Sequence, residues 1–440
     1  MRKNKHTSGE NVPSSKRAGN GMNRDIRWPD LYSEVAARLP EIVGRSRLTV
    51  GGFSACVDVY LSLREAMGPL GEAAQNCAEG AAMLAELTRR AANGIGGELF
   101  VDWPDGPAWI DRHISGRRAV GGTSAQAAYM LAQLGAPALI AIEDRSASQL
   151  DVLHPGTLAA TSNGLVPVSS LPTVGDARPP HYIFEFTAGE RIGTAEVPRS
   201  SRTIVRFDHS ALQRDPAFDQ AATARARIAG AGILCGFNEI APETAAAELD
   251  YAAGIAAAWR SAGLKVIHVE LGDFPVTSLR DATIDRLLPE ATSAGMSRSE
   301  LADLSRDGEA AETAAIRIAE TYGLARVCVH ADEWAFAVTR SDPDRELEAL
   351  EVGCLLASTR AAQGYFAVPK RLPDSARFLA PPLPVSLRRG GWSIACCPAP
   401  YLERPAATIG LGDTFLAGTL LVLGAETIEP PVPKPAEDTP

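Results

Sequence analysis

The sequence predicts an α/β protein: a large domain with a central, mostly parallel sheet covered by helices, beside a smaller β-rich domain. Three observations carry this. From residue 232 onward, short apolar runs at 232–235, 264–270 and 325–330 alternate with helical patterns at 242–262, 279–288, 298–304, 309–322 and 345–363. Such alternation implies right-handed strand–helix–strand units and a sheet buried on both faces. Between 155 and 208 there is no helical pattern, only β-like runs (182–186 and 203–207) broken by Pro, Gly and Ser. Near the C-terminus, Thr408-Ile409-Gly410-Leu411-Gly412-Asp413 leads into an apolar, small-residue helix.

The elements follow in order. Pro29 and Asp30 open a helix running to Val43. A strand over 47–53 ends in Gly51-Gly52, and an Ala/Leu-rich helix spans 73–92. A short strand at 98–101 precedes Gly121-Gly122-Thr123-Ser124, which opens a helix over 125–134 closed by Gly135. Residues 138–142 read as a buried strand. The resulting division places 28–50, 117–150 and 209–428 in the large domain, and 51–116 and 151–208 in the small one. A basic, polar tail occupies 1–27 and a Pro-rich tail 429–440.

Composition narrows the function classes. The chain has 440 residues, 45% of them hydrophobic, and a formal net charge of −10. That balance argues against a general nucleic-acid binder. No apolar run approaches the ~20 residues of a membrane span, and the N-terminal stretch lacks the apolar core of a secretory signal. The seven cysteines (Cys56, Cys77, Cys235, Cys328, Cys354, Cys396 and Cys397) have no zinc-ribbon spacing and read mostly as buried thiols. They suggest a reducing cytoplasm.

In open α/β sheets ligands gather beyond the carboxyl ends of the strands. The polar residues there are Asp58, Asn238, Glu239, His268, Glu270, His330, Asp332 and Asp413. Gly410 and Gly412 allow a tight turn that points backbone N–H groups at one anion. Asp413 beside them can take a proton from a hydroxyl while the amides hold a phosphoryl group; a plain turn with Asp413 as N-cap is the alternative. His268 and Glu270 share one strand face, and a carboxylate there suits Mg²⁺, or is simply a solvated strand end. Glu300 lies in Ser297-Arg298-Ser299-Glu300, the pattern of an ordinary capping box. Asp58 can accept two sugar hydroxyls or stand as a strand acid. Gly121 and Gly122 can admit a substrate to the backbone or merely open a helix. His113, His154 and His209 carry no pattern.

Taken in order, these motifs resemble the ADP-dependent phosphofructokinase/glucokinase family of the ribokinase-like superfamily. The matching pieces are Gly52-Phe53 with Val57-Asp58, Gly121-Gly122, Phe184-Glu185-Phe186 with Gly189, His268-Val269-Glu270, Gly295-Met296 with Glu300-Leu301, Val329-His330 and Gly410-Leu411-Gly412-Asp413-Thr414. The resemblance implies a ribokinase-like large domain with a β-rich lid, and phosphoryl transfer from ADP to a hexose or hexose phosphate, releasing AMP. It implies Asp413 as base and Gly410 to Gly412 as anion hole, with His330, Gly410 and Leu411 near the nucleotide. Asp58, Gly121, Gly122 and Glu185 would meet the sugar, and Glu270, Glu300 and His268 the Mg²⁺ network. The chain departs from the family pattern at Arg298, where an acid is usual, and at Thr123 and Ser54, where asparagines are. A ribokinase-like kinase using ATP and a non-catalytic sugar- or nucleotide-binding regulator are the other readings.

Overall fold

The computed structural model describes residues 27–208 and 211–426. The two tails predicted at 1–27 and 429–440 lie outside the described residues except for Arg27, as does His209.

An eleven-stranded sheet forms the body. Its strands run, in spatial order, Ser386–Arg389, Trp392–Pro398, Trp334–Thr339, Arg326–His330, Ser293–Ser297, Val266–Glu270, Ala231–Leu234, Thr49–Gly52, Ala138–Ile140, Leu158–Thr161 and Gly164–Pro167. From Arg326–His330 through Leu158–Thr161 the pairing is parallel, and both edges turn antiparallel. The central strands read as continuous apolar runs because helices cover both faces. One core layer holds Trp259, Phe218 and Phe237. The opposite layer holds Tyr32, Leu350 and Leu420, with the helices Pro343–Gln363 and Leu411–Leu423 packed together.

A second, five-stranded sheet is ordered Gly97–Phe100, Ser201–Arg206, His181–Phe186, Cys56–Ser62 and Arg117–Gly121. Its own core is built on Phe184, Tyr182, Leu63 and Met83. The helices Leu63–Asn76 and Ala78–Ala92 cover that face.

The predicted boundaries need three corrections. Residues 158–167, expected in the small domain, extend the large sheet, where Leu158 pairs in parallel with Leu139. The small, fully buried Ala159 and Ala160 let the strand Leu158–Thr161 lie against the body. Conversely Arg117–Gly121, expected in the large domain, pairs antiparallel with Cys56–Ser62. The single helix expected over 73–92 is two, because Cys77 takes an extended backbone (φ −149°, ψ 150°) and its sulfur caps Gly80 N–H at 3.3 Å. Among the described residues no helix is long and apolar enough to cross a membrane.

Candidate active site

The two sheets face each other across a cleft of about 830 Å³, within the range of small-molecule sites. One wall is made by strand ends of the large sheet: 235–239, 270–273, 297–300 and 330–332. The other is the small sheet, through Asp58, Glu98, His181, Ile183, Arg202 and Ile204. An ion pair from Arg199 of the small domain to Asp332 of the large one (3.3 Å) spans the rim.

The floor is the start of helix Leu411–Leu423. Gly410 is left-handed (φ +68°), and a side chain there would overlap Gln126 and Arg360. Thr414 donates both its N–H (3.0 Å) and its hydroxyl (2.8 Å) to the Gly410 carbonyl. That is the first bond of the helix, so the N–H groups of Leu411, Gly412 and Asp413 have no intrahelical acceptor. Partial positive charge gathers there. Arg360, 5% exposed on the neighbouring helix, clamps the turn. It donates to the Gly410 carbonyl (2.9 Å), Thr414 Oγ1 (3.0 Å) and Gln126 Oε1 (2.7 Å). Asp413 reaches the cleft and accepts from Thr123. Burial raises its carboxyl above the ordinary aspartate value, and Arg360 and the Thr123 hydrogen bond oppose the rise.

His268, Glu270 and His330 form one chain of contacts. His268 is buried, with Nδ1 on Ser293 Oγ (2.8 Å) and Nε2 on Glu270 Oε2 (2.8 Å). Glu270 Oε1 faces His330 Nε2 at 3.4 Å. Burial alone would raise the Glu270 carboxyl; the two histidines reverse this and hold it at about 2. Gly295 on the adjoining strand makes room for the pair, since a side chain there would overlap both. His268 therefore has no free ring nitrogen to offer a metal and acts as the support of Glu270, a correction to its expected place among ligands. His330 lies between Glu270 and Gly412, whose added Cβ would stand 3.1 Å from the imidazole.

Glu300 makes the capping box that its sequence pattern describes. Its Oε2 accepts from Ser297 N–H (2.7 Å), and its own N–H donates to Ser297 Oγ (3.3 Å). It also lines the cleft, and burial lifts its carboxyl to about 7. Arg298 lines the same wall and pairs with Glu333 at 3.4 Å.

Asp58 is buried on Cys56–Ser62, directly opposite His181 in the parallel register. Burial, then Glu239 and Asp413, push its carboxyl well up. Gly121 abuts Asp58, and Gly122 (φ +84°) packs on Ser54 and opens the helix Thr123–Leu134. Of the expected sugar contacts, Asp58 and Gly122 line the cleft, whereas Gly121, packed behind Asp58, and Glu185 do not. Thr408 donates to Glu185 at 3.4 Å, beside the glycine turn.

Sequence reasoning missed Glu98, His181, Arg206, Gln126 and Arg360. Arg206 Nε stands 3.0 Å from Glu98 Oε2 without hydrogen-bond geometry, and its Nη1 stands 3.8 Å from Glu239. Burial raises Glu98 to about 7 even so. A lone charge following the mostly apolar stretch 352–357 of a helix was the available signal for Arg360.

The model of the ADP-specific phosphofructokinase/glucokinase conserved region matches residues 47–422. A curated ADP-specific phosphofructokinase from Pyrococcus furiosus is 25% identical over 307 residues, 58% of this chain and 66% of that protein. The chain thus aligns with just under two thirds of that relative's length. A hypothetical ADP-dependent phosphofructokinase structure from Pyrococcus horikoshii superposes with a TM-score of 0.68 at 19% identity, covering 86% of this chain and 98% of that one. An ADP-dependent kinase in complex with fructose-6-phosphate and ADPβS gives 0.74 at 18%, covering 91% and 99%. These structures show a common fold. With the family model spanning most of its length, the chain belongs to the ADP-specific phosphofructokinase/glucokinase family, a family of ADP-dependent sugar kinases.

Proposed function

We propose that this chain transfers the β-phosphoryl group of ADP to a hydroxyl of a hexose or hexose phosphate, releasing AMP. The observation that carries the reading is Asp413 at a glycine-opened helix start, facing Asp58 across one cleft. Family membership supplies ADP; the residues supply the chemistry.

The N–H groups at 411–413 suit the phosphoryl oxygens, and the Arg360 clamp keeps them aimed. Asp58 orients the acceptor hydroxyls. Asp413 receives the hydroxyl proton as the new O–P bond forms and the bond from the β-phosphorus to the bridging oxygen breaks. The proton then leaves to solvent. Placement does most of the work in such reactions.

A divalent cation is part of this proposal. Glu270, held ionised, and Glu300 are hard oxygen donors on the same wall, the kind of set that binds Mg²⁺ through one or two carboxylates plus phosphate and water. When bound, Mg²⁺ would neutralise phosphate charge.

The acceptor wall is acidic, with Asp58, Glu98 and Glu239, and Arg206 is already engaged by two of these. This favours sugar hydroxyls as the groups held there. The arginines lining the cleft are Arg199, Arg202 and Arg298; Arg199 and Arg298 already pair with Asp332 and Glu333, which leaves Arg202 as the first candidate for a sugar phosphate.

The test crosses Mg·ADP and Mg·ATP with glucose and fructose 6-phosphate and follows AMP and ADP release. The expected result is AMP formation from ADP, faster than any turnover of ATP. Preference for ATP overturns the donor assignment. No product from any pair, with ADP still protecting the fold against heat, overturns catalysis and leaves a ligand-binding protein.

A further inference from the structure

We propose that Cys56, Asp58 and His181 form a binding site for a thiophilic divalent cation of the zinc class, in the acceptor half of the cleft. The three donor atoms converge. Cys56 Sγ is 3.7 Å from Asp58 Oδ1 and 3.5 Å from His181 Nδ1, and Asp58 Oδ1 is 3.9 Å from His181 Nδ1. All candidate ligand atoms lie within 4.8 Å of one another. Tetrahedral zinc, with bonds of roughly 2.0–2.3 Å, places its ligands roughly 3.3–3.7 Å apart. The observed triangle needs only a few tenths of an ångström of adjustment.

The backbone explains the convergence. Cys56 and Asp58 are two apart on one strand and share a face. The parallel neighbour puts His181 opposite Asp58. Both strands are interior to the small sheet, so the triangle is fixed by strand pairing, with no loop involved. Asp58 and His181 are buried and Cys56 half-buried.

The donor set is selective. A thiolate with an imidazole suits zinc and disfavours Mg²⁺, which prefers oxygens. The second nitrogen of His181 also has a carboxylate near it. Its Nε2 faces Glu239 Oε2 at 3.8 Å, beyond hydrogen-bond distance here but on the side where a metal-bound histidine ordinarily donates its other N–H to a carboxylate. Three protein ligands leave a fourth position open toward the cleft, since Asp58 and His181 line it. Binding releases the Cys56 thiol proton to solvent.

One consequence rests on the kinase reading above. A cation on Asp58 removes the carboxylate that would hold the sugar, so zinc inhibits competitively with the acceptor and not with ADP.

The experiment titrates the full chain with Zn²⁺ in excess Mg²⁺ by calorimetry, and with Co²⁺ by absorption spectroscopy. Expected are one tight zinc per chain and a near-ultraviolet thiolate-to-cobalt band. Cys56→Ser removes the band and weakens zinc at least tenfold; His181→Gln weakens zinc but keeps the band. Melting curves establish that both variants fold. Absence of tight zinc binding, or binding unchanged in both variants, overturns the site. Zinc that binds as expected, yet leaves the acceptor KM of an active enzyme unchanged, upholds the metal site and overturns the sugar role of Asp58.

Discussion

His268 Nε2 lies 2.8 Å from Glu270 Oε2, and the two residues stand on the same face of one strand. The imidazole is in turn fixed by Ser293 from the adjoining strand. The carboxylate at the cleft is thus aimed from behind, by a buried residue that does not line the cleft.

Glu270→Gln is expected to raise the Mg²⁺ concentration for half-maximal rate more than it raises the sugar KM. An unchanged Mg²⁺ titration would make Glu270 a structural residue. The pair also has a pH signature. The Glu270 carboxyl is depressed from 4.5 to about 2, so its stabilisation is fully present above about pH 4.5 and lost as pH falls toward 2. Acid melting should therefore show the gap in Tm between wild type and Glu270→Gln closing over that window.

Asp413→Asn should leave nucleotide and sugar binding nearly intact and lower kcat by about 10²–10⁴-fold, the worth of a positioned general base. Wild-type kcat in the variant would remove Asp413 from the mechanism. Burial raises this carboxyl, so the ionised form costs the fold stability at pH values above its unfolded pKa. The variant is accordingly expected to melt at the same temperature as wild type or higher at pH 8. The acid limb of wild-type kcat should sit above the ordinary aspartate range, since the base works only when deprotonated.

Glu300 separates cap from ligand. Glutamine at this position can still accept from Ser297 N–H, so Glu300→Gln keeps the capping box. The glutamate is pushed up to about 7 by burial, so its charge costs stability as pH rises through that value. The substitution should raise Tm more at pH 8 than at pH 5. If Glu300 also serves the cation, the Mg²⁺ titration moves to higher concentration; a cap alone leaves it in place.

The central sheet was legible because its strands are buried on both faces and read as apolar runs between helical periods. The strand Ser293–Ser297 escaped notice because Ser-Ala-Gly-Met-Ser has no β-branched residue, yet its small side chains are what admit His268 and Glu270 beside it. The antiparallel strands Trp334–Thr339 and Trp392–Pro398 follow no helix and so broke the alternation that located the others. Strand ends and the glycine turn pointed to Asp413, Glu270 and Asp58, and all three line the cleft. Arg360, His181 and Glu98 reach the site through pairings between segments far apart in the chain.

Asp58→Ala should raise the sugar KM about 10–100-fold and the nucleotide KM little, since losing a charged hydrogen-bond acceptor typically costs about 1.5–3 kcal/mol. Steady-state kinetics with each substrate varied separately check this. If neither KM moves, the acceptor lies elsewhere in the cleft.

Arg360 tests whether the glycine turn must be held from outside. Its guanidinium bonds the Gly410 carbonyl, Thr414 and Gln126 at once, and a lysine ammonium cannot reproduce that planar fork. Arg360→Lys should therefore loosen the turn while keeping the charge. Because the anion hole acts on the transferring group, the loss should fall on kcat, by at least tenfold, with both KM values within about threefold of wild type. Gly410→Ala strikes the same turn from the other side, through its left-handed φ of +68° and a Cβ driven into Gln126 and Arg360. It should lower kcat further and lower Tm as well. Two variants that lose Tm but keep full kcat would show that the clamp serves the fold alone, and that the amides at 411–413 hold their aim without it.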